Sequence, residues 1–234
     1  MNKLLIIAIA FCIAMPVKAQ DKQKIEGNGN ITTKTIPVKS FNSIKASGVF
    51  ELHLIQDGTE SVKVIADENL HSLFSIKNEG NALVIELDKK KNINFDSENR
   101  LKVYVNFKDL KEMNLSTVGN VMSDKKLKFD ELALKCNSVG NVDLELNANT
   151  LRIKNNSVGN VSLRGEAESA IVKNSSVGNL SASRLIVKKM DIENSGVGNA
   201  DVNVTTELKV KDNFLGKVKN KGKAPVKKMK NVAS

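Results

Sequence analysis

The chain is poor in the residues from which catalytic centres and sugar-stacking platforms are usually built. Its 234 residues include no tryptophan, one tyrosine (Tyr104), two histidines (His53 and His71) and two cysteines. So few aromatic rings give poor support to carbohydrate binding by stacking. No Ser-His-acid order, His-x-x-x-His pair or cysteine pair indicates a catalytic or metal centre, and His53 lies on the polar side of an alternating segment, which predicts a solvent-facing ring. We therefore expect a protein that is not an enzyme and that has no cofactor and no bound metal.

Long apolar segments are also scarce, and the one near the start predicts a secretory signal peptide over residues 1–19. A short basic start precedes the apolar run Leu4–Ala14, and Val17-Lys18-Ala19 has the form of a cleavage site. The run is shorter than the roughly 20 residues that span a bilayer, so we expect no transmembrane segment after cleavage. Acylation of Cys12 as a lipoprotein is the weaker alternative, because the bulky Phe11 precedes it. The expected location is the periplasm, the outer-membrane surface or the extracellular space.

After signal cleavage, Cys136 is the single cysteine of the chain, which excludes an intramolecular disulfide. It stands at an apolar position of a repeat, so we expect a buried filler and not a reactive thiol. An exported chain of this kind depends on burial and backbone pairing for its stability.

The net charge of +10 is concentrated near the C-terminus. Residues 209–230 hold nine lysines and one acidic residue, Asp212, whereas residues 20–208 are formally neutral. Three interpretations of the basic segment remain open: protection of a strand edge by lysines and Pro225, binding of an anionic surface or glycan, and binding of nucleic acid. Edge protection is favoured, and nucleic acid is not among the expected partners, because the chain is exported and the segment has almost no aromatic residues or arginine.

What the sequence has in abundance is a repeat of the tripeptide Val-Gly-Asn. Five copies and a degenerate sixth, Leu215-Gly216-Lys217, place glycines at intervals of 21, 19, 19, 20 and 18 residues. The repeated glycines are Gly119, Gly140, Gly159, Gly178, Gly198 and Gly216. The asparagines that follow the first five are Asn120, Asn141, Asn160, Asn179 and Asn199. Apolar and polar residues alternate around each copy, as from Leu151 to Ile153 and from Val161 to Leu163, which indicates short strands with one inward face.

A period of about 20 residues is typical of stacked solenoid coils. The sequence therefore predicts an all-β fold, a right-handed parallel β-helix (solenoid) with coils of about 19 residues, each holding three short strands and three turns. We expect the repeated glycines to form the turns through a positive φ. We expect the repeated asparagines to stack as a structural ladder of amides. Calcium is disfavoured, since asparagine lacks the charged oxygens that calcium sites use.

The expected organisation follows from these patterns. Its parts are a signal peptide (1–19), a mobile N-terminal segment (20–35), one β-helix domain (36–226) and a basic C-terminal tail (218–234). The β-helix domain comprises an irregular β-rich part (36–110), which seals one end, and the regular Val-Gly-Asn coils (111–217).

The regular glycine-polar turns, the alternating segment Ile44–Gln56 and the closing Lys221-Gly222-Lys223-Ala224-Pro225 resemble a family of exported Bacteroidota proteins. This family is called head GIN domain, putative auto-transporter adhesin (DUF2807), and the resemblance covers about residues 36–226. The family turn pattern is Ser-Gly-Ser-Gly-Asp. Here Ser or Thr mostly stands at the first Gly, Val or Leu at the second Ser, and Asn at the Asp of the five full copies. The resemblance implies a right-handed β-helix with an adhesive role.

The expected function is a non-enzymatic, exported protein of the cell envelope or surface that is adhesin-like. Its partner is unknown; a cell-surface glycan and an envelope protein are the candidates. Two alternatives remain open: a glycan-binding or polysaccharide-processing β-helix protein, and a purely structural component of the envelope.

Overall fold

The computed structural model describes residues 24–88, 92–94, 101–212 and 215–229. Within these ranges the chain is almost entirely β-structure, with one 3-10 helix, Glu68–Leu73. The strands are β1 Lys24–Glu26, β2 Ile31–Pro37, β3 Ser43–Gly48, β4 Glu51–Gln56, β5 Ser61–Asp67, β6 Phe74–Glu79, β7 Ala82–Leu87, β8 Asn92–Asn94, β9 Lys102–Phe107, β10 Glu112–Thr117, β11 Val121–Ser123, β12 Leu127–Cys136, β13 Val142–Asn155, β14 Val161–Asn174, β15 Leu180–Asn194, β16 Ala200–Asp212, β17 Val218–Asn220 and β18 Val226–Lys228. The predicted signal peptide lies outside the described residues. Within the described ranges, no helix is long and apolar enough to cross a membrane.

The regular part of the fold is a stack of parallel coils, which confirms the predicted β-solenoid. From β12 to β16 each strand pairs in parallel with the strand one coil later. Equivalent positions of the repeat lie side by side, so that Val142 pairs with Val161 and Val161 with Leu180. The side chains of the alternating apolar positions, such as Leu151 and Leu163, are buried in the interior of the stack. One coil cannot cover its own apolar face, and stacking produces a continuous core.

Each regular coil contains one long bent strand in place of the three short strands that the sequence suggested. Strands β13, β14 and β15 are 14, 14 and 15 residues long. Bends occur where the side chains of two successive residues both lie outside the core, as at Asn149 and Thr150. The pairing with the next coil resumes at Thr150. A bend interrupts the alternation of inward and outward side chains in the same way as a turn does. The sequence pattern alone therefore cannot tell one bent strand from several short strands joined by turns.

Antiparallel strands cover the first end of the solenoid. Strands β3 and β4 pair in parallel with β10 and β11 on one side and with β7 and β9 on the other. Beyond them, β6 runs antiparallel to β7, β5 antiparallel to β9, and β2 antiparallel to β5. The irregular residues 36–110 therefore contain both the first coil of the stack and most of the layer that closes it.

The N-terminal segment differs from the mobile stretch expected over residues 20–35. Strand β1 pairs with β8, and all seven residues of β2 pair with β5. Between them, the backbone N–H of Gly29 donates a 2.7 Å hydrogen bond to the carboxylate of Asp67. Polar composition suggested mobility, but a strand at the edge of a sheet needs few apolar residues, because one of its faces meets solvent.

The other end of the stack continues into the segment expected to be a basic tail. Strand β17 pairs with the first part of β16 and β18 with the second part. The Lys228 ammonium lies 2.7 Å from the Asp212 carboxylate, and the Lys227 ammonium lies 3.7 Å from that of Glu207. Residues 218–229 thus extend the solenoid and cover the edge of β16.

The repeated glycines do not have the positive φ that was expected of them. Among the described glycines, positive φ values occur at Gly29, Gly48, Gly58, Gly80 and Gly165. At Gly159, an added Cβ would instead collide with the backbone carbonyl oxygen of Gly140 in the preceding coil. Glycine is needed in these turns because successive backbones approach too closely for a side chain.

The repeated asparagines stack, but through a different hydrogen bond from the one expected. The side-chain Oδ1 of Asn141 accepts a 3.0 Å hydrogen bond from the backbone N–H of Asn160. In the next coil, the Oδ1 of Asn160 accepts a 2.9 Å hydrogen bond from the backbone N–H of Asn179. Equivalent bonds join Asn120 to Asn141, Asn179 to Asn199 and Asn199 to Lys217. The column therefore satisfies one backbone N–H in each turn.

Candidate functional site

The valine of every Val-Gly-Asn copy points into solvent. The five valines are between 50% and 59% exposed, and Leu215 and Val49 extend the row at its two ends, at 62% and 40% exposed. We call this row the valine ridge; its members are Val49, Val118, Val139, Val158, Val177, Val197 and Leu215. Pairing of Thr117 with Gly48 and of Val121 with Leu52 places Val49 beside Val118. The ridge thus has one apolar side chain per coil, at intervals of about 4.8 Å.

Local alternation explains why the ridge faces outward. In the coil that contains Val158, the side chains of Ile153, Asn155 and Ser157 are buried, whereas those of Asn156 and Val158 are exposed. The inward positions of the turn are polar and the outward one is apolar, which reverses the usual arrangement. The ridge therefore adds nothing to the interior packing of the coils.

Polar side chains flank the ridge on both sides. On one side lie Ser116, Asn137, Asn156, Ser175 and Ser195, all exposed. The amide of Asn156 donates to Asn137 across 3.1 Å. On the other side stands the asparagine column, in which the Nδ2 groups of Asn160 and Asn179 have no hydrogen-bond partner within the described part of the chain. A partner that covers the ridge would therefore meet free amide donors along its border.

The two histidines lie in different environments, and both are largely covered. His53 is mostly covered and not solvent-facing as expected, with 13% of its side chain exposed. Its ring stacks on Tyr104 at 4.4 Å between centroids, and its Nδ1 lies 2.9 Å from the Asp124 carboxylate. His71 is buried on the 3-10 helix, 2.9 Å from the hydroxyl of Thr32, and burial lowers the pKa of its imidazole.

An acid-arginine cluster occupies the outer face of β13 and β14. Arg164 contacts Asp143 at 2.5 Å and Glu145 at 3.2 Å, and Lys126 lies 3.6 Å from Glu145. Hydrolysis of a polysaccharide commonly uses two carboxyl groups that transfer protons in a groove. Here the carboxylates are held in ion pairs, so the cluster is better explained as cross-coil stabilisation. Within the described ranges, His, Cys, Asp and Glu do not form a group of three or more that is arranged to hold a metal ion.

Cys136 is buried in the core of the solenoid, at the apolar repeat position given by the sequence. Burial raises the pKa of its thiol to about 12. The thiolate form needed for nucleophilic chemistry is therefore scarce at neutral pH.

Comparison with known proteins identifies relatives along nearly the whole described chain. The family model described as "Putative auto-transporter adhesin, head GIN domain" matches residues 40–224. A putative adhesin from Bacteroides fragilis is similar in structure, with 26% identity and a TM-score of 0.73 over 88% of this chain and 100% of that one. Two proteins from Parabacteroides distasonis share the fold. One is a putative adhesin, with 23% identity and a TM-score of 0.54 over 88% of this chain and 100% of that one. The other is a putative lipid binding protein, with 19% identity and a TM-score of 0.61 over 89% of this chain and 100% of that one. No curated protein matches the chain.

Proposed function

The chain belongs to the head GIN domain family of putative auto-transporter adhesins, and on that premise we propose that it is an exported, non-enzymatic protein that attaches to a surface through its valine ridge. The signal peptide predicted over residues 1–19 supports export, and the family supports a place on the cell surface or in the envelope. The ridge is the observation that supports attachment.

A row of half-exposed aliphatic side chains costs solubility and contributes nothing to the core. Contiguous apolar patches of this kind commonly mark interaction sites on soluble proteins. Covering one half-exposed valine contributes about 1 kcal/mol, taken as about half of the value for a fully exposed side chain. Several such contacts along one straight edge give useful affinity for a repetitive or extended surface, with the flanking asparagines and serines supplying hydrogen bonds.

The test is retention of the protein on bacterial and host cell surfaces. The triple variant Val139→Ser, Val158→Ser and Val177→Ser removes the centre of the ridge without touching the core. Its retention is expected to weaken by about 3 kcal/mol, or about a hundredfold in affinity, from three contacts of about 1 kcal/mol each.

A matched control removes three exposed apolar side chains elsewhere. Ile31, Ile186 and Val226 are 44%, 47% and 51% exposed and lie away from the ridge. The variant Ile31→Ser, Ile186→Ser and Val226→Ser is expected to retain wild-type binding. Equal retention of both triple variants would contradict attachment through the ridge. Stable binding to one envelope protein and to no cell surface would favour the purely structural role.

A further inference from the structure

Beside the valine ridge, the strand that leads into it presents a short stack of lysines. Lys135, Lys154 and Lys173 pair directly with one another across β12, β13 and β14, and all three are exposed. Stacked coils place them about 4.8 Å apart. Within the described part of the chain, none of the three has a carboxylate partner. Three positive charges are therefore held side by side, and the next residue of the column, opposite Lys173, is Glu193.

Elsewhere on the coils, several lysines do pair with carboxylates. One coil further along the same column, Glu193 is paired with Lys211 at 2.9 Å. On another face, Lys188 is paired with Glu168 at 2.7 Å. Like charges directly opposite on neighbouring strands are destabilising. The stack is thus maintained against an electrostatic cost that an anionic ligand would remove.

The three lysines line an open surface groove of about 230 Å³. Its lining also includes Arg152 and Ile171, which pair with each other on β13 and β14, and Ile171 is 42% exposed. Of the described residues that line the groove, Glu112 is the one carboxylate. The groove therefore combines four cations with an apolar surface over three coils.

We propose that this groove, Lys135, Lys154, Lys173, Arg152 and Ile171, binds a short stretch of an acidic polysaccharide. The carboxylates or sulfates of the polymer pair with the lysines and with Arg152, and the apolar faces of the sugar rings lie on Ile171. The inference rests on the proposed function and deepens it, because it names a class of ligand for the attachment surface, but it uses residues outside the valine ridge.

Other polyanions fit the groove less well. The lining residues described here include no aromatic side chain on which nucleic-acid bases could stack. A recessed strip three coils long does not match the planar surface of an anionic bilayer. An acidic peptide cannot add as a strand at this face, because the backbone groups of β12, β13 and β14 already pair with neighbouring coils.

The experiment is an anisotropy titration of the full chain, after signal cleavage, with fluorescent oligogalacturonate and with sulfated chondroitin oligosaccharide. Neutral dextran, single-stranded DNA and anionic phosphatidylglycerol vesicles serve as comparison probes. The variant Lys135→Gln, Lys154→Gln and Lys173→Gln is expected to lose about tenfold in affinity for at least one acidic oligosaccharide. Its binding should also depend less steeply on salt between about 50 and 200 mM.

A matched variant loses the same charge in the last coil, through Lys219→Gln, Lys221→Gln and Lys223→Gln. Because these charges are distant from the groove and screened by salt, its affinity should stay within about twofold of wild type. Ile171→Glu places a carboxylate inside the groove and should abolish binding. Three results would each overturn the proposal. The two triple lysine variants could lose affinity equally, the protein could bind DNA or vesicles more tightly than any oligosaccharide, or it could bind no oligosaccharide.

The valine-ridge variant separates this inference from the proposed function. Val139→Ser, Val158→Ser and Val177→Ser leaves the groove intact and should still bind the acidic oligosaccharide. If the valine-ridge variant loses cell retention and the lysine variant binds the oligosaccharide as well as wild type, the groove is not the binding site. Attachment through the ridge would still hold.

Discussion

The side-chain amide of Asn155 donates a 2.7 Å hydrogen bond to the side-chain oxygen of Asn174 in the next coil, at a place where both residues are fully buried. Asn174 donates in turn to Asn194 at 2.6 Å, and Asn194 donates to the carbonyl of Gly198 at 3.2 Å. A polar ladder thus runs inside the core, parallel to the exposed asparagine column. It satisfies amides that would be costly to bury unpaired.

Replacing the middle member of this ladder should be strongly destabilising. In Asn174→Leu, the donor of Asn155 and the acceptor of Asn194 lose their partners, at about 1–3 kcal/mol each, so we expect a loss of about 2–6 kcal/mol. Asn179→Leu, in the exposed column, leaves a backbone N–H that water can reach and should cost less than about 1.5 kcal/mol. Urea unfolding of both variants measures the difference. Equal losses would mean that the buried ladder has no special role.

Substitutions of Gly159 test whether its turn needs glycine because the backbones approach closely or because φ is positive. Asparagine tolerates positive φ better than alanine does, so a φ requirement would make Gly159→Asn milder than Gly159→Ala. The collision with Gly140 predicts that both are destabilising, by about 1–3 kcal/mol or more, with asparagine at least as harmful. At Gly58, where φ is +83° and no atom is near an added Cβ, the asparagine variant should be mild. Thermal melting of the three variants decides between the two explanations.

His71 should make the stability of the chain sensitive to mild acid. Burial lowers the pKa of its imidazole, so the unfolded chain binds a proton more readily than the folded protein. The stabilising contribution is therefore complete above the unfolded pKa of about 6.5 and declines as the pH falls below it. In His71→Gln, stability measured by urea unfolding should change less between neutral and mildly acidic pH than in the wild type. A wild-type slope in the variant would contradict this assignment, since all other titrations are common to both proteins.

Cys136 should be inert in the folded protein. Its thiol is buried and burial raises its pKa to about 12, so both access and thiolate are lacking. An aromatic disulfide reagent should label it only after unfolding in urea, and the native rate should follow the rate of global opening. Rapid labelling of the native chain would show that the core around this residue opens locally.

The period of the repeat was enough to predict the parallel solenoid and its core, because stacked coils require the same inward positions in every copy. It was not enough to predict strand β2, since its partner β5 lies about 30 residues away and a polar edge strand carries no apolar pattern. The glycines were recognised correctly as turn residues but for the wrong reason: the contact with Gly140 exists only between coils.

The valine ridge was overlooked in the sequence even though a signal for it was present. Ile153, Asn155 and Ser157 define the inward positions of the copy by alternation. Val158 falls on the outward positions together with Asn156. An apolar residue repeated at an outward position therefore indicated an exposed row. The lysine groove carried a similar signal, a basic residue repeated at one aligned position in three successive copies.

The most direct test of attachment is chemical protection of the ridge on bound cells. The experiment uses the chain without residues 1–19, which lacks Cys12. Because Cys136 is buried, the thiol introduced by Val158→Cys provides a single reactive probe in the middle of the ridge, and Ile186→Cys provides the matched probe on another face. The rate of maleimide labelling is measured for each variant free in solution and retained on a cell surface. We expect retention to slow the labelling of the Val158→Cys variant severalfold and to leave that of Ile186→Cys unchanged. Unchanged labelling at Val158→Cys on retained protein would contradict attachment through the valine ridge.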